Sequence, residues 1–213
     1  IIDRLVSAGV KPENISVFAG SESELFAAGF SLRPDGPGVR TYGADVVGFR
    51  GGLSRIVIDY CHVLINLTTL RADPDIGMAG ALANCLACVP NVQRRALLND
   101  PQRLPSVAAH PGVRQKLRLN IMEAYLPLLD GADPDEPSWQ YRGLLASTDP
   151  VALDTIGVRV LEGCRAALRK APWPLTPPVA YLQAAQKNYR LGQADPDKIT
   201  VRLQGPPEGS FLQ

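Results

Sequence analysis

"LLASTDPVALDTIGVRVLEGCRAAL", residues 144–168, passes from a β-rich run into a helix with almost no linker. Asp149 is the expected N-cap and Pro150 the first helical residue. That pairing gives the free amides of the first turn an acceptor and presets φ for the turn. Leu153, Ile156, Val160, Cys164 and Leu168 then recur at helical spacing and form an apolar stripe. A strand delivering the chain straight into an amphipathic helix is the repeating step of an α/β fold.

The same alternation extends outward from this segment. "KPENISVFAG" (11–20) predicts a strand over 15–19, after an opening helix stopped by Gly9. "SESELFAAGF" (21–30) predicts a short helix with Ser21 or Ser23 as N-cap. "VRTYGADV" (39–46) predicts a further strand. "LSRIVIDYCHVLINLTTL" (53–70) carries the clearest strand signal. Its run of Val63, Leu64, Ile65 and Leu67 is that of a strand covered on both faces. A turn at 71–77 and a helix ended by Pro90 follow, then a short helix in "VQRRALLND" and a strand over 117–122. The stretch 130–139 reads as a polar loop, 177–189 as a helix and 197–204 as a closing strand. The expected architecture is therefore an open, doubly wound α/β domain over residues 1–204, with a mostly parallel sheet flanked by helices. Residues 205–213 are expected as a flexible tail. Because the chain opens with Ile1 inside a helical pattern, earlier residues are expected to precede it.

Composition narrows the function classes. With 22 basic and 21 acidic residues the formal net charge is +1, and no basic stripe is present, which argues against nucleic-acid binding. No apolar run reaches the roughly 20 residues that a membrane-spanning helix needs. "GFRGGLSR" (48–55) lacks the G-x-G-x-x-G spacing of a dinucleotide cradle and reads as a loop. Neither G-x-S-x-G nor H-E-x-x-H occurs.

Cys85-x-x-Cys88 is the motif that most invites a chemical reading. A zinc or iron–sulphur site needs about four ligands, and only Cys61, Cys164, His62 and His110 could complete it. No second C-x-x-C exists, and unpaired cysteine is among the most buried residue types, so core packing is the expected role. A redox pair, or a metal held by Cys61, Cys85, Cys88 and Cys164, remains the alternative. His62 is expected partly buried, His110 solvent-facing, and Trp139 and Trp173 as packing lids or partner anchors.

In an α/β sheet, ligands usually bind beyond the carboxyl ends of the strands. That rule collects Arg71, Asp73 and Asp75 after the central strand, Glu123 after the next, and Ser147, Thr148 and Asp149 after the third. Arg71, Asp73 and Asp149, joined by Asn84 of the following helix, make the expected ligand-binding crevice. The competing reading is local: Asp149 caps a helix, Asp73 sits in a turn, and Asp154 caps or pairs nearby.

The segments 3–25, 53–70, "GALAN" (80–84), "KLRLNIMEA" (116–124), "STDPVALD" (147–154) and "ADPDKITV" (194–201) together resemble the bacterial and archaeal family called domain of unknown function 362. The resemblance implies an α/β protein, often exported, and often associated with iron–sulphur modules. It also implies a basic site after the central strand: a lysine and a histidine there, and a lysine–asparagine pair on the next helix. Here Arg71, Asp73 and Ala83 stand at the basic positions and Asn84 alone is kept. Arginine keeps the charge but cannot serve as a base. The cysteine often found before the "LPSV" segment is absent. The expected function is accordingly a non-catalytic structural or accessory subunit of a larger protein assembly, with other protein subunits as partners. No cofactor is expected in this chain, with any iron–sulphur cluster on a preceding or partner segment. A redox-associated or small-ligand enzyme is the alternative, and no catalytic residue is assigned.

Overall fold

The computed structural model describes residues 1–130, 139–205 and 209–212. The polar loop expected at 130–139 therefore lies largely outside the described residues. So does part of the expected tail. The chain groups into two compact units, one of residues 1–61 with 87–94, the other of residues 62–86 with 95–213.

The first unit begins with α1 (Ile2–Ser7), which ends beside Gly9 at φ +95°. β1 (Ser16–Ala19), α2 (Glu22–Ala27) and β2 (Arg40–Gly43) follow, and β1 and β2 pair in parallel with Ser16 opposite Arg40. Ser21 is the N-cap of α2, its hydroxyl accepting from the Glu24 amide at 3.3 Å. After α3 (Ala44–Val47), the glycine-rich stretch read as a loop forms a tight hairpin of β3 (Phe49–Arg50) and β4 (Leu53–Ser54). Gly51 and Gly52 both take positive φ at its turn, the backbone that suits a two-residue hairpin. Ile56–Tyr60, part of the strand signal in the sequence, is instead a single π-helical turn. Asp59 draws that turn closed by pairing with Arg55 at 3.0 Å and with Arg50 at 2.5 Å. Tyr42, Ala44 and Ile56 form the core of this unit with Phe18, Val47 and Phe49 around them.

The second unit holds the main sheet. β5 (Leu64–Asp73) turns at residues 74–76 into β6 (Gly77–Ala79). α4 (Ala81–Asn84) follows and runs into a 3₁₀ turn over Cys85–Cys88. After α5 (Asn91–Leu98), whose residues up to Arg94 belong to the first unit, and after α6 (Ser106–Ala109) and α7 (Pro111–Arg114), come β7 (Leu117–Leu128), β8 (Gly143–Ser147), α8 (Pro150–Arg169) and α9 (Tyr181–Lys187). The strand order is β6-β5-β7-β8. The α/β class is as expected, but the sheet is mixed rather than mostly parallel: β5 and β7 alone run parallel, while β6 and β8 are antiparallel to their neighbours. The short turn at residues 74–76 forces β6 back on β5, since a parallel return needs a crossover of a dozen or more residues.

Helices α4 and α8 cover one face of this sheet. Leu70, Ala72, Met122 and Ala124 meet Ala81, Leu153, Val160, Leu161 and Cys164 there. The opposite face is open: Leu67 is 50% exposed and Leu144 69%. The expectation of a strand covered on both faces is thus corrected, because β5 alternates between buried and open positions along its length. No strand forms at 197–204 either. Asp195 caps the 3₁₀ turn Pro196–Lys198 instead, and the described residues beyond it pair with no strand. At the far end of the chain, Phe211 and Leu212 pack against the main core, and the Tyr141 hydroxyl donates to the Ser210 carbonyl at 3.0 Å.

Candidate functional site

The densest buried polar cluster of the second unit lies where β5, β7, α4 and α8 meet. Its centre is Asp154, one turn into α8 and fully buried. Its Oδ1 accepts from the Ala81 amide at 2.6 Å and its Oδ2 from the Leu82 amide at 2.9 Å. A helix start leaves its first amides without partners, and α4 has no side-chain cap of its own. Asp154 supplies that cap from another element. Gly80 is the residue that lets it approach, since a Cβ there would overlap the Asp154 carboxylate. Burial pushes the Asp154 carboxyl up to about 7, against the pull of the two amides toward the charged form.

Beside it lies a chain of side-chain amides. Asn66 donates to the Ala81 carbonyl at 2.8 Å and to Asn120 Oδ1 at 3.0 Å. Its own Oδ1 accepts from Asn84 at 2.6 Å. Asn84 donates as well to the Leu67 carbonyl at 2.8 Å, and Asn120 to the Ser147 carbonyl at 3.3 Å. Asn66 and Asn120 are opposite each other in the parallel pair, and Asn120 is opposite Ser147 in the antiparallel one. One row of polar groups therefore ties three strands to α4. The fully buried Tyr181 adds a bond from its hydroxyl to the Met78 carbonyl at 2.9 Å.

The four residues of the expected crevice do not gather. Because β8 runs antiparallel to β7, its last residue stands level with Asn66, near the start of β5. Asp149 follows there, while Arg71 and Asp73 lie at the opposite end of β5, paired with Ala79 and Gly77. Asp149 accepts from the Val151, Ala152 and Gln193 amides at 2.8, 2.9 and 2.9 Å, capping α8 and fastening residue 193 to it. Asp73 accepts from the Asp75 and Ile76 amides and shapes the hairpin turn. Asn84 belongs to the amide chain. Arg71 is half-buried on the open sheet face, with no hydrogen-bond or ion-pair partner among the described residues.

None of the four cysteines is in a disulfide. Cys85, Cys88 and Cys164 are buried, the first donating to the Ala81 carbonyl at 3.4 Å and the last within the main core. Burial pushes the Cys88 and Cys164 thiols up to about 12. Among the described residues no three of His, Cys, Asp or Glu converge as metal ligands would. His62 is exposed, not half-buried, since it precedes β5 outside the covered face. His110 is exposed as expected and caps α7, its Nδ1 accepting from the Gly112 amide at 3.1 Å. Trp139 packs against the core. Trp173 lies under the Arg165 and Arg169 guanidiniums, 4.1 and 3.4 Å from its ring centre.

Asn120 and Tyr181 were not legible as site residues. A signal existed for Asn120: asparagine is depleted in strands, yet both central strands carry one amid apolar neighbours, Asn66 and Asn120. Chemically, the cluster contains neutral amides and one sealed carboxyl whose oxygens are both engaged. It is built to hold a helix start against a sheet.

The profile of the family described as Domain of unknown function (DUF362) matches residues 52–159, just over half of the chain. The chain belongs to this family. No curated protein and no solved structure matches it. The segment shared with DUF362 runs from β4 to the middle of α8. It thus takes in the entire main sheet and the cluster of Asp154, Asn66, Asn84 and Asn120. Among the described residues of this DUF362 chain, no helix is long and apolar enough to cross a membrane.

Proposed function

We propose that this DUF362 chain is a non-catalytic accessory subunit, acting by binding other protein subunits. One observation carries the reading: the acidic side chains of the candidate site are spent on backbone amides, and its asparagines on one another and on backbone carbonyls, in bonds that hold the fold. Asp154, Asp149 and Asp73 together accept seven amide hydrogen bonds. The position where the family resemblance implies a reactive lysine carries Arg71, which stays protonated at ordinary pH. An iron–sulphur cluster, where one takes part, belongs in this reading to another segment or subunit.

The test is isolation of the full-length protein from its native source under gentle, anaerobic conditions. The expected result is a stable complex with at least one different polypeptide in fixed proportion. Recovery of this chain without any other polypeptide would overturn the reading, as would a turnover activity abolished by Arg71→Ala while thermal stability stays unchanged.

A further inference from the structure

We propose that the open face of the main sheet is the contact surface for a second copy of this chain, which rests on the accessory-subunit reading. The face is apolar where an uncovered sheet face is ordinarily polar. Ile65 and Leu67 of β5 stand opposite Leu119 and Ile121 of β7, and Ala146 and Leu144 of β8 continue the row. Leu67, Leu144 and Ala146 are exposed and the others half-buried. A parallel pair such as β5–β7 is normally buried on both sides.

Charge identifies the occupant. Besides Asp73, whose carboxylate is engaged by the Asp75 and Ile76 amides of the hairpin turn, the charged groups along the three strands of this face are one arginine and one glutamate, both half-buried and both toward the same end: Arg71 on β5 and Glu123 on β7. Arg71 has no partner among the described residues, and Glu123 uses one oxygen to accept from the Tyr125 amide in its own strand. A two-fold axis parallel to the strands, between β5 and β7, lays β5 of each copy over β7 of the other. Sheets packed face to face keep their strands within about 30° of one another, and such an axis allows this. Leu67 then meets the second copy's Ile121, and Ile65 its Leu119. Arg71 comes within side-chain reach of the second copy's Glu123, since Glu123 is level with Thr69, two residues away along β5. The contact is self-complementary: each copy supplies one arginine and one glutamate, and both pairs form at once.

The experiment is sedimentation equilibrium of the purified full-length protein, with Leu67→Asp, Arg71→Glu and Glu123→Arg singly and the two charge changes combined. The parent is expected to dimerise. Each single change should weaken the dimer about tenfold or more, and the combined charge exchange should restore it, since like charges face each other only in the single variants. Circular dichroism checks that the variants fold, which their exposed or half-buried positions favour. A parent that stays monomeric throughout the micromolar range, or a dimer insensitive to all four variants, overturns the proposal. So does a charge exchange that fails to restore a dimer lost in folded single variants. These failures leave the accessory-subunit reading standing, because that reading falls only if native isolation yields no other polypeptide or an Arg71-dependent activity appears.

Discussion

The carboxylate of Asp154 accepts a hydrogen bond from the backbone amide of Ala81 at 2.6 Å, across 73 positions of sequence. A residue of α8 thus caps α4, and the two helices that cover the main sheet are joined through one buried acid. Asp154→Ala leaves two buried amides without acceptors, each worth about 1–3 kcal/mol. The variant is expected to lose about 2–5 kcal/mol of stability, read from its urea midpoint. A loss under about 1 kcal/mol would mean that the cap does not hold the helix.

The same residue sets a pH dependence. With its carboxyl pushed up to about 7 in the fold, Asp154 keeps a proton that the unfolded chain releases near pH 4. Its contribution is fully present below about pH 4, is lost as pH rises toward about 7, and is level beyond that. Subtracting the pH–stability curve of Asp154→Asn from that of the parent should show this downward slope. A flat or upward difference across that window contradicts it.

Within the amide chain, burial ranks the members. Asn66→Ala strips partners from the Ala81 carbonyl, Asn120 and Asn84 at a buried position, and is expected to cost about 2–3 kcal/mol. Asn84 is exposed, so Asn84→Ala should cost about 1 kcal/mol or less, water replacing its partners. Chemical denaturation of the two variants decides the order; the reverse order would refute the burial argument.

Phe211 rests where Gly163 has no side chain, and its ring lies 6.2 Å from both the Trp139 and Tyr141 rings. A methyl at residue 163 would occupy the space of the Phe211 ring. Gly163→Ala and Phe211→Ala should both release Phe211 from the core, seen as faster hydrogen exchange at the Ser210 and Phe211 amides. Trp139 emission should shift to the red in the same variants. Unchanged exchange in both would show that this contact does not anchor the segment.

The thiols separate by access. Cys61 is half-buried while Cys85, Cys88 and Cys164 are buried, and the Cys88 and Cys164 thiols are pushed up to about 12. Since the thiolate is the reactive form, a chromogenic disulfide reagent at pH 8 should titrate Cys61 quickly and the other three only on unfolding. Two or more fast thiols in the native protein would count against that ranking.

Much of the local structure was legible in the sequence because its causes are local. Ser21 and Asp149 mark helix starts by accepting from amides two or three positions away, Pro150 presets the first helical φ, and the stripe from Leu153 to Cys164 marks the buried face of α8. The family was legible too, since its motifs fall within the strands and turns that carry the sheet. The direction of β8, the hairpin return of β6 and the open face of β5 were not. They depend on how long a connection is and on what covers a strand, which an apolar run such as Val63–Leu67 does not encode. The same holds for the candidate site. An aspartate at residue 154 is visible in the chain, but only the packing of α8 against α4 decides that its carboxylate ends the amides of Ala81 and Leu82. Hydrogen bonds between residues so far apart form only after the sheet has brought their elements together, so tertiary structure alone assigns that side chain its role.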